Sequence, residues 1–132
     1  MNAPFVPNVT EIKFLGGLLY MTTQQKKDLR NKILTVDLLM ESLFTIESQI
    51  KKCAYNRKKY QHITYSRESW ESELKNNIKN RTYVTNVLIT RYDVDQTAIK
   101  DTVSSVDRGV IPLKYVNEIV DLIKSGTYVT ID

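Results

Sequence analysis

The stretch Ala98-Ile-Lys-Asp-Thr-Val-Ser-Ser-Val-Asp-Arg-Gly-Val-Ile-Pro-Leu-Lys-Tyr-Val-Asn-Glu-Ile-Val-Asp-Leu-Ile-Lys-Ser-Gly126 is the part of the chain from which the fold is most directly read. Ile99, Val103 and Val106 fall at i, i+4 and i+7, and Leu113, Val116, Ile119, Val120 and Ile123 stripe one face of a second segment. This spacing predicts two short helices folded against each other. Gly109 is placed to take the left-handed conformation that ends the first, and Pro112 suits the first turn of the second, where its missing N–H is no loss. Gly126 stops the second helix after Lys124, whose charge suits a helix C-terminus. Such a hairpin cannot bury both faces of its own helices, so it must pack on the rest of the chain or on another chain.

Working towards the N-terminus, Asp93-Val-Asp-Gln96 reads as a break with a cap that launches the hairpin. Thr82 to Tyr92 mixes β-branched residues with helical spacing at Val84, Val87, Leu88 and Arg91, and its helical surroundings decide for helix. Trp70, Leu74 and Ile78 lie four residues apart on a helix that Ser66 or Ser69 could start, with Trp70 expected as a core anchor. Thr22-Thr-Gln-Gln25 supplies a capping-box start for a long helix. Its apolar positions Leu29, Ile33, Val36, Met40, Leu43 and Ile50 alternate by three and four residues, with Glu47 interrupting, as in a coiled-coil seam. Leu34, Leu38, Leu39, Phe44 and Ile46 widen that seam enough to meet more than one neighbouring helix.

Pro4, Pro7 and Gly16-Gly17 oppose helix near the start. The expected organisation is therefore an irregular arm over 1–21, a helical stalk or bundle over 22–92, and a helical hairpin with an extended tail over 93–132. Thr127 to Ile131 is read as extended and docked. The fold class is all-α: a long coiled-coil-like stalk followed by a short C-terminal helical hairpin.

Only four Gly and three Pro in 132 residues, with 26% charged and 42% hydrophobic residues, favour an ordered helical chain over a disordered one. Cys53 is the single cysteine, so no intrachain disulfide forms, and a reducing, cytoplasmic compartment is expected. Met1 to Leu19 has neither the basic leader of a signal peptide nor an apolar run long enough for a membrane span. Asn8-Val-Thr10 and Asn80-Arg-Thr82 match the glycosylation pattern but carry no meaning without a secretory route.

The net charge of +4 is unevenly spread. Thr22 to His62 holds nine basic residues (Lys26, Lys27, Arg30, Lys32, Lys51, Lys52, Arg57, Lys58, Lys59) against four acidic ones, whereas Asp93 to Asp132 is acidic. Lys51 to Tyr60 is the most basic run, with Tyr55 and Tyr60 interleaved. Such a run suits an anionic membrane surface or nucleic acid, with Lys51, Lys52, Arg57, Lys58 and Lys59 as the contacts. It is also the pattern of a solvated helix face whose tyrosines edge a seam.

No phosphate-cradling glycine loop, metal-ligand cluster or nucleophile with a base stands out. His62 has no ligand partners, and Asp95, Asp101, Asp107, Glu118 and Asp121 fall on polar helix faces. The reading is non-enzymatic, with no cofactor and no metal.

Ala98-Ile-Lys-Asp-Thr102, then Arg108-Gly-Val-Ile-Pro-Leu113, then Val120-Asp-Leu-Ile123 resembles the steadiness box. That box is the C-terminal helical hairpin of the ubiquitin-binding vacuolar sorting subunit of the ESCRT-I complex, the tumour susceptibility protein family. The likeness covers about a quarter of the chain. With Ile-Lys-Asp-Thr aligned, this sequence is about one helical turn shorter before Arg108, and Ser125-Gly-Thr-Tyr128 replaces the family's basic residue and Gln-Phe. No ubiquitin-binding domain is expected ahead of the stalk, so cargo recognition is not among what the resemblance implies.

The resemblance implies a scaffold subunit in endosomal sorting and membrane remodelling, docked with other helical subunits as a hetero-oligomer and recruited to endosomal or other membranes. Its interface is expected at Leu29, Ile33, Val36, Met40, Leu43, Ile50, Trp70 and Leu74 in the stalk. In the hairpin it is expected at Ile99, Val103, Val106, Ile111, Leu113, Val116, Ile119, Val120 and Ile123. On this reading Ile119→Asp abolishes partner binding in a folded chain. Two rivals remain: a helix-turn-helix nucleic-acid-binding protein, whose recognition helix from Pro112 to Lys124 is nearly neutral, and a helical subunit of a transcriptional coactivator complex.

Overall fold

Side-chain caps at Thr22, Thr35 and Asp95 start three of the helices, and left-handed Asp93 and Gly126 end two. The computed structural model describes residues 20–106 and 109–131, so the expected irregular arm falls outside it except for Tyr20 and Met21. Among the described residues the chain is all-α, with five helices: α1 (Thr23–Arg30), α2 (Val36–Lys59), α3 (Thr64–Tyr92), α4 (Gln96–Ser104) and α5 (Leu113–Ser125).

The capping box forms as expected. Gln25 N donates to Thr22 Oγ1 at 3.0 Å, and Thr22 N donates to Gln25 Oε1 at 2.9 Å. The long helix does not begin there, however. α1 closes at Asn31 after eight residues, Lys32 is left-handed at φ 61°, and Thr35 opens α2 by accepting from Leu38 N at 3.1 Å. The break is held from outside the segment: Leu34 N donates to Val129 O at 3.0 Å, and Val129 N donates to Lys32 O at 2.9 Å. The tail thus docks as a parallel bridge between Ile33 and Val129.

α2 and α3 run antiparallel, as the paired positions 34 with 92, 47 with 81 and 53 with 77 show. α3 starts at Thr64, earlier than Ser66 or Ser69, and continues through Thr82–Tyr92. It stops at Asp93, left-handed at φ 54°, and Asp95 then caps α4 by accepting from Ala98 N at 3.0 Å. Gly126 ends α5 in the left-handed conformation at φ 70°.

The terminal helices form where the sequence places them but make at most marginal contact with each other. Each packs across both long helices instead. α4 ends at Ser104, with Ser105 as its cap, so Gly109 is not its terminator, and Pro112 is the N-cap of α5 rather than part of its first turn. The physical reason lies in the connector. Ile111 is fully buried, and its backbone and that of Val110 are bonded to Thr45 on α2, so the segment leading into α5 is anchored on α2 and not against α4.

One core joins all five helices. It contains Met21, Leu29, Leu34, Leu38, Leu39, Leu43, Ile46, Val84, Val87, Leu88, Ile99, Val103, Ile111, Val116, Ile119 and Val120. Each such side chain contributes roughly 1.5 to 3 kcal/mol of burial. The core sits at one end of the long pair. Beyond Glu47 on α2 and before Arg81 on α3, the buried residues are Cys53, Asn77 and Asn80. This leaves a two-helix arm of roughly 20 Å at 1.5 Å per residue.

Candidate interaction surfaces

A polar layer separates head from arm. Glu47 Oε1 lies 2.7 Å from Arg81 Nη1, an ion pair exposed enough to be worth about 1 kcal/mol or less. One helical turn outward, Asn77 Nδ2 donates to Glu73 O at 2.9 Å and stands 3.9 Å from Cys53 Sγ. A polar group in an otherwise apolar seam fixes the register of the helices that share it. The Cys53 thiol is pushed above its ordinary 9.0, first by burial and then by the nearby Glu73 carboxylate, with Lys52 acting against both. Asn80 is 4% exposed, which removes Asn80-Arg-Thr82 from use as a glycosylation site. On the inner part of α2, Glu41 keeps one buried carboxylate oxygen without a hydrogen-bond partner among the described residues.

Beside this layer an open groove of about 530 Å³ runs between α2, α3 and α4. Leu43, Ile89, Ile99 and Val103 line it together with the Glu47–Arg81 pair, Thr82, Thr85, Asn86, Gln96, Lys100 and Ser104. Its hydroxyls and amides can orient a ligand; the Thr82 and Ser104 hydroxyls donate to carbonyls of their own helices, Ile78 O and Lys100 O. Among the described residues no group of three or more His, Cys, Asp or Glu is placed to hold a metal ion.

The arm presents a different surface. Ala54, Trp70 and Leu74 stay half-buried in the arm and Ile78 is 39% exposed, because two helices alone cannot cover their own apolar edges, while Ile50 packs against the head core. At the far end Tyr55, Ile63 and Tyr65 are 65%, 52% and 84% exposed. They stand among exposed Lys51, Lys52, Arg57, Lys58 and Lys59. Lys59 Nζ lies 5.4 Å from the centre of the Tyr60 ring and 5.9 Å from that of Tyr55.

The structure divides the interface residues expected from sequence into two groups. Leu29, Leu43, Ile99, Val103, Ile111, Val116, Ile119 and Val120 lie in this chain's own core. Ile33, Met40, Ile50, Trp70, Leu74, Val106, Leu113 and Ile123 are half-buried, and Val36 is exposed. Trp70 is thus a half-buried residue of the arm, outside the core cluster and the residues packed against it, and not a core anchor. The turn residues Gly109 and Pro112 lie in the connector to α5; Asp107 and Arg108 fall outside the described residues. On α5, Lys114, Asn117, Glu118, Asp121 and Lys124 are exposed, a face of almost balanced charge.

Sequence spacing did not single out Ile63 and Tyr65, because exposure at a helix–helix turn has no periodic signature. The absence of any acidic residue from Lys51 to Arg67 was the available signal. No helix among the described residues is long and apolar enough to cross a membrane. Comparison with protein-family models, curated proteins and solved structures finds no match to this chain.

Proposed function

We propose that this chain is a non-enzymatic scaffold subunit of a multichain helical complex, of the kind that the ESCRT-I core exemplifies. In this reading the long α2–α3 pair is the stalk, and helices of partner subunits lie along it. The observation that carries the proposal is the arm's missing third layer: no large apolar side chain of the arm is fully buried, and Trp70 and Leu74 stay half-covered there, whereas the head buries a large apolar cluster. A partner helix laid along the arm would complete a three-helix bundle and bury the exposed apolar area. The steadiness-box likeness of Ala98–Thr102, Arg108–Leu113 and Val120–Ile123 is one of sequence, since α4 and α5 make at most marginal contact, and it points to the same class of assembly. It suggests a cytoplasmic subunit working in endosomal sorting and membrane remodelling.

The test is purification of the tagged chain from its own cells, followed by size-exclusion chromatography with light scattering. Wild type is expected to elute with partner chains in fixed stoichiometry, and the double variant Trp70→Asp/Leu74→Asp to elute alone while keeping its helical circular dichroism. A partner-free wild-type monomer would contradict the reading. So would a complex that survives the double variant unchanged.

A further inference from the structure

The end of the arm combines two features that the scaffold reading does not use. From Lys51 to Arg67 the chain carries six basic residues and no acidic one, and the carboxylates of Glu68, Glu71 and Glu73 begin only farther along α3. At the turn that follows this basic run and the start of α3, Ile63 and Tyr65 are 52% and 84% exposed, and Tyr55 near the end of α2 is 65% exposed. Arg67 Nη1 donates to Gln61 O at 3.0 Å and so braces the turn that holds Ile63 outward.

We propose that the tip of the α2–α3 arm docks on the anionic surface of a lipid bilayer, with Ile63 and Tyr65 entering the headgroup layer and Arg57, Lys58 and Lys59 meeting lipid phosphates. Exposed apolar and aromatic side chains next to a run of exposed cations on α2 match a surface that is negative at its face and apolar beneath it. Tyrosine rings, apolar in body and polar at the hydroxyl, suit the headgroup depth. Nucleic acid would satisfy the cations and could stack on the tyrosines, but it offers the exposed Ile63 side chain nothing. The bland alternative is that Arg57, Lys58 and Lys59 only complement the C-terminal dipole of α2; that accounts for the charges and leaves the exposed Ile63 and Tyr65 unexplained. The inference goes beyond the scaffold reading and stands or falls separately from it.

The experiment is co-sedimentation of the full chain with vesicles of phosphatidylcholine alone and of phosphatidylcholine with phosphatidylserine. A parallel titration uses fluorescein-labelled single-stranded DNA and RNA. Wild type is expected on the anionic vesicles only, with binding that weakens as salt rises. Each basic residue at such a surface is worth about fivefold in affinity, so Lys58→Gln/Lys59→Gln should lose about 25-fold. Ile63→Ser should lose about tenfold, through lost insertion. All three residues are exposed, and circular dichroism of the variants is expected to match wild type. Leu74→Asp, which damages the partner-facing edge but not the tip, should keep vesicle binding.

Failure of wild type to bind anionic vesicles at low salt overturns the proposal. Binding that Ile63→Ser leaves unchanged overturns insertion, and loss of binding in Leu74→Asp transfers the contact to the arm edge. Nucleic-acid binding without vesicle binding would assign the tip to that partner instead.

Discussion

Thr45 shows how much one side chain can decide. Its Oγ1 donates to Ile111 O at 2.8 Å and accepts from Val110 N and Ile111 N at 3.1 Å each, so a single buried hydroxyl satisfies three backbone groups of the connector. Thr45→Val keeps the shape but leaves those groups without the hydroxyl in a buried setting, at a cost of about 2 to 4 kcal/mol. Urea denaturation should show the midpoint falling with little change in slope. Cys53 sets a second expectation. Its thiol is held above 9.0 in the folded chain, so the folded state keeps its proton more tightly than the unfolded state does. The stability linked to that proton is fully present below the unfolded value and is lost as pH rises through the folded one. Reaction with a thiol reagent near neutral pH should therefore be slow in the native chain and fast in urea; equal rates would show that the thiol is not enclosed. The polar faces and the lone thiol were readable from sequence. Thr45 was not, because its partner lies 66 positions away and nothing near it marks the bond.

Among the elements, the break between α1 and α2 is the clearest departure from the sequence pattern. Leu29, Ile33 and Val36 keep helical spacing straight across it, so periodicity reads one helix where there are two. What interrupts it is the tail: Val129 takes the backbone bonds of Lys32 and Leu34, and Tyr92 Oη ties the same corner by donating to Leu34 O at 2.6 Å and accepting from Ile131 N at 3.0 Å. A contact between positions so distant in the chain leaves no local signal. Elsewhere local chemistry was sufficient: the Thr22 box, the Asp95 cap and the Gly126 stop are all where the residues place them. The break also makes a test that separates the two readings. Lys32 is exposed and left-handed, so Lys32→Gly should raise stability by about 0.5 to 1 kcal/mol by removing the Cβ strain. In a continuous helix the same change would lower it by about 1 kcal/mol. Thermal melts of the two proteins distinguish these outcomes.

At the scale of the whole molecule the chain is a self-contained five-helix head carrying a two-helix arm, with the Glu47–Arg81 layer between them. The apolar stripe of the terminal segment was legible as a buried face, but what it faces was not, since an amphipathic helix looks the same against its own chain and against a partner. Ile119 is fully buried in the head, so Ile119→Asp places a charge in the core and should unfold the head, at a cost upwards of about 4 kcal/mol. It therefore no longer reads partner binding. Leu74→Asp, half-buried and outside the head core, should cost less stability in the isolated chain than Ile119→Asp and act on assembly. The claim beneath both expectations is that the head has a buried core of its own and the arm does not. Hydrogen–deuterium exchange of the chain alone, and of the chain with its purified partners, tests this most directly. The account predicts slow exchange in both samples for the core-facing segments of α2, α3, α4 and α5. It predicts fast exchange for residues 48–80 in the isolated chain, slowed once partners are bound. Uniformly slow exchange along the arm of the isolated chain, or no change there on assembly, would contradict it.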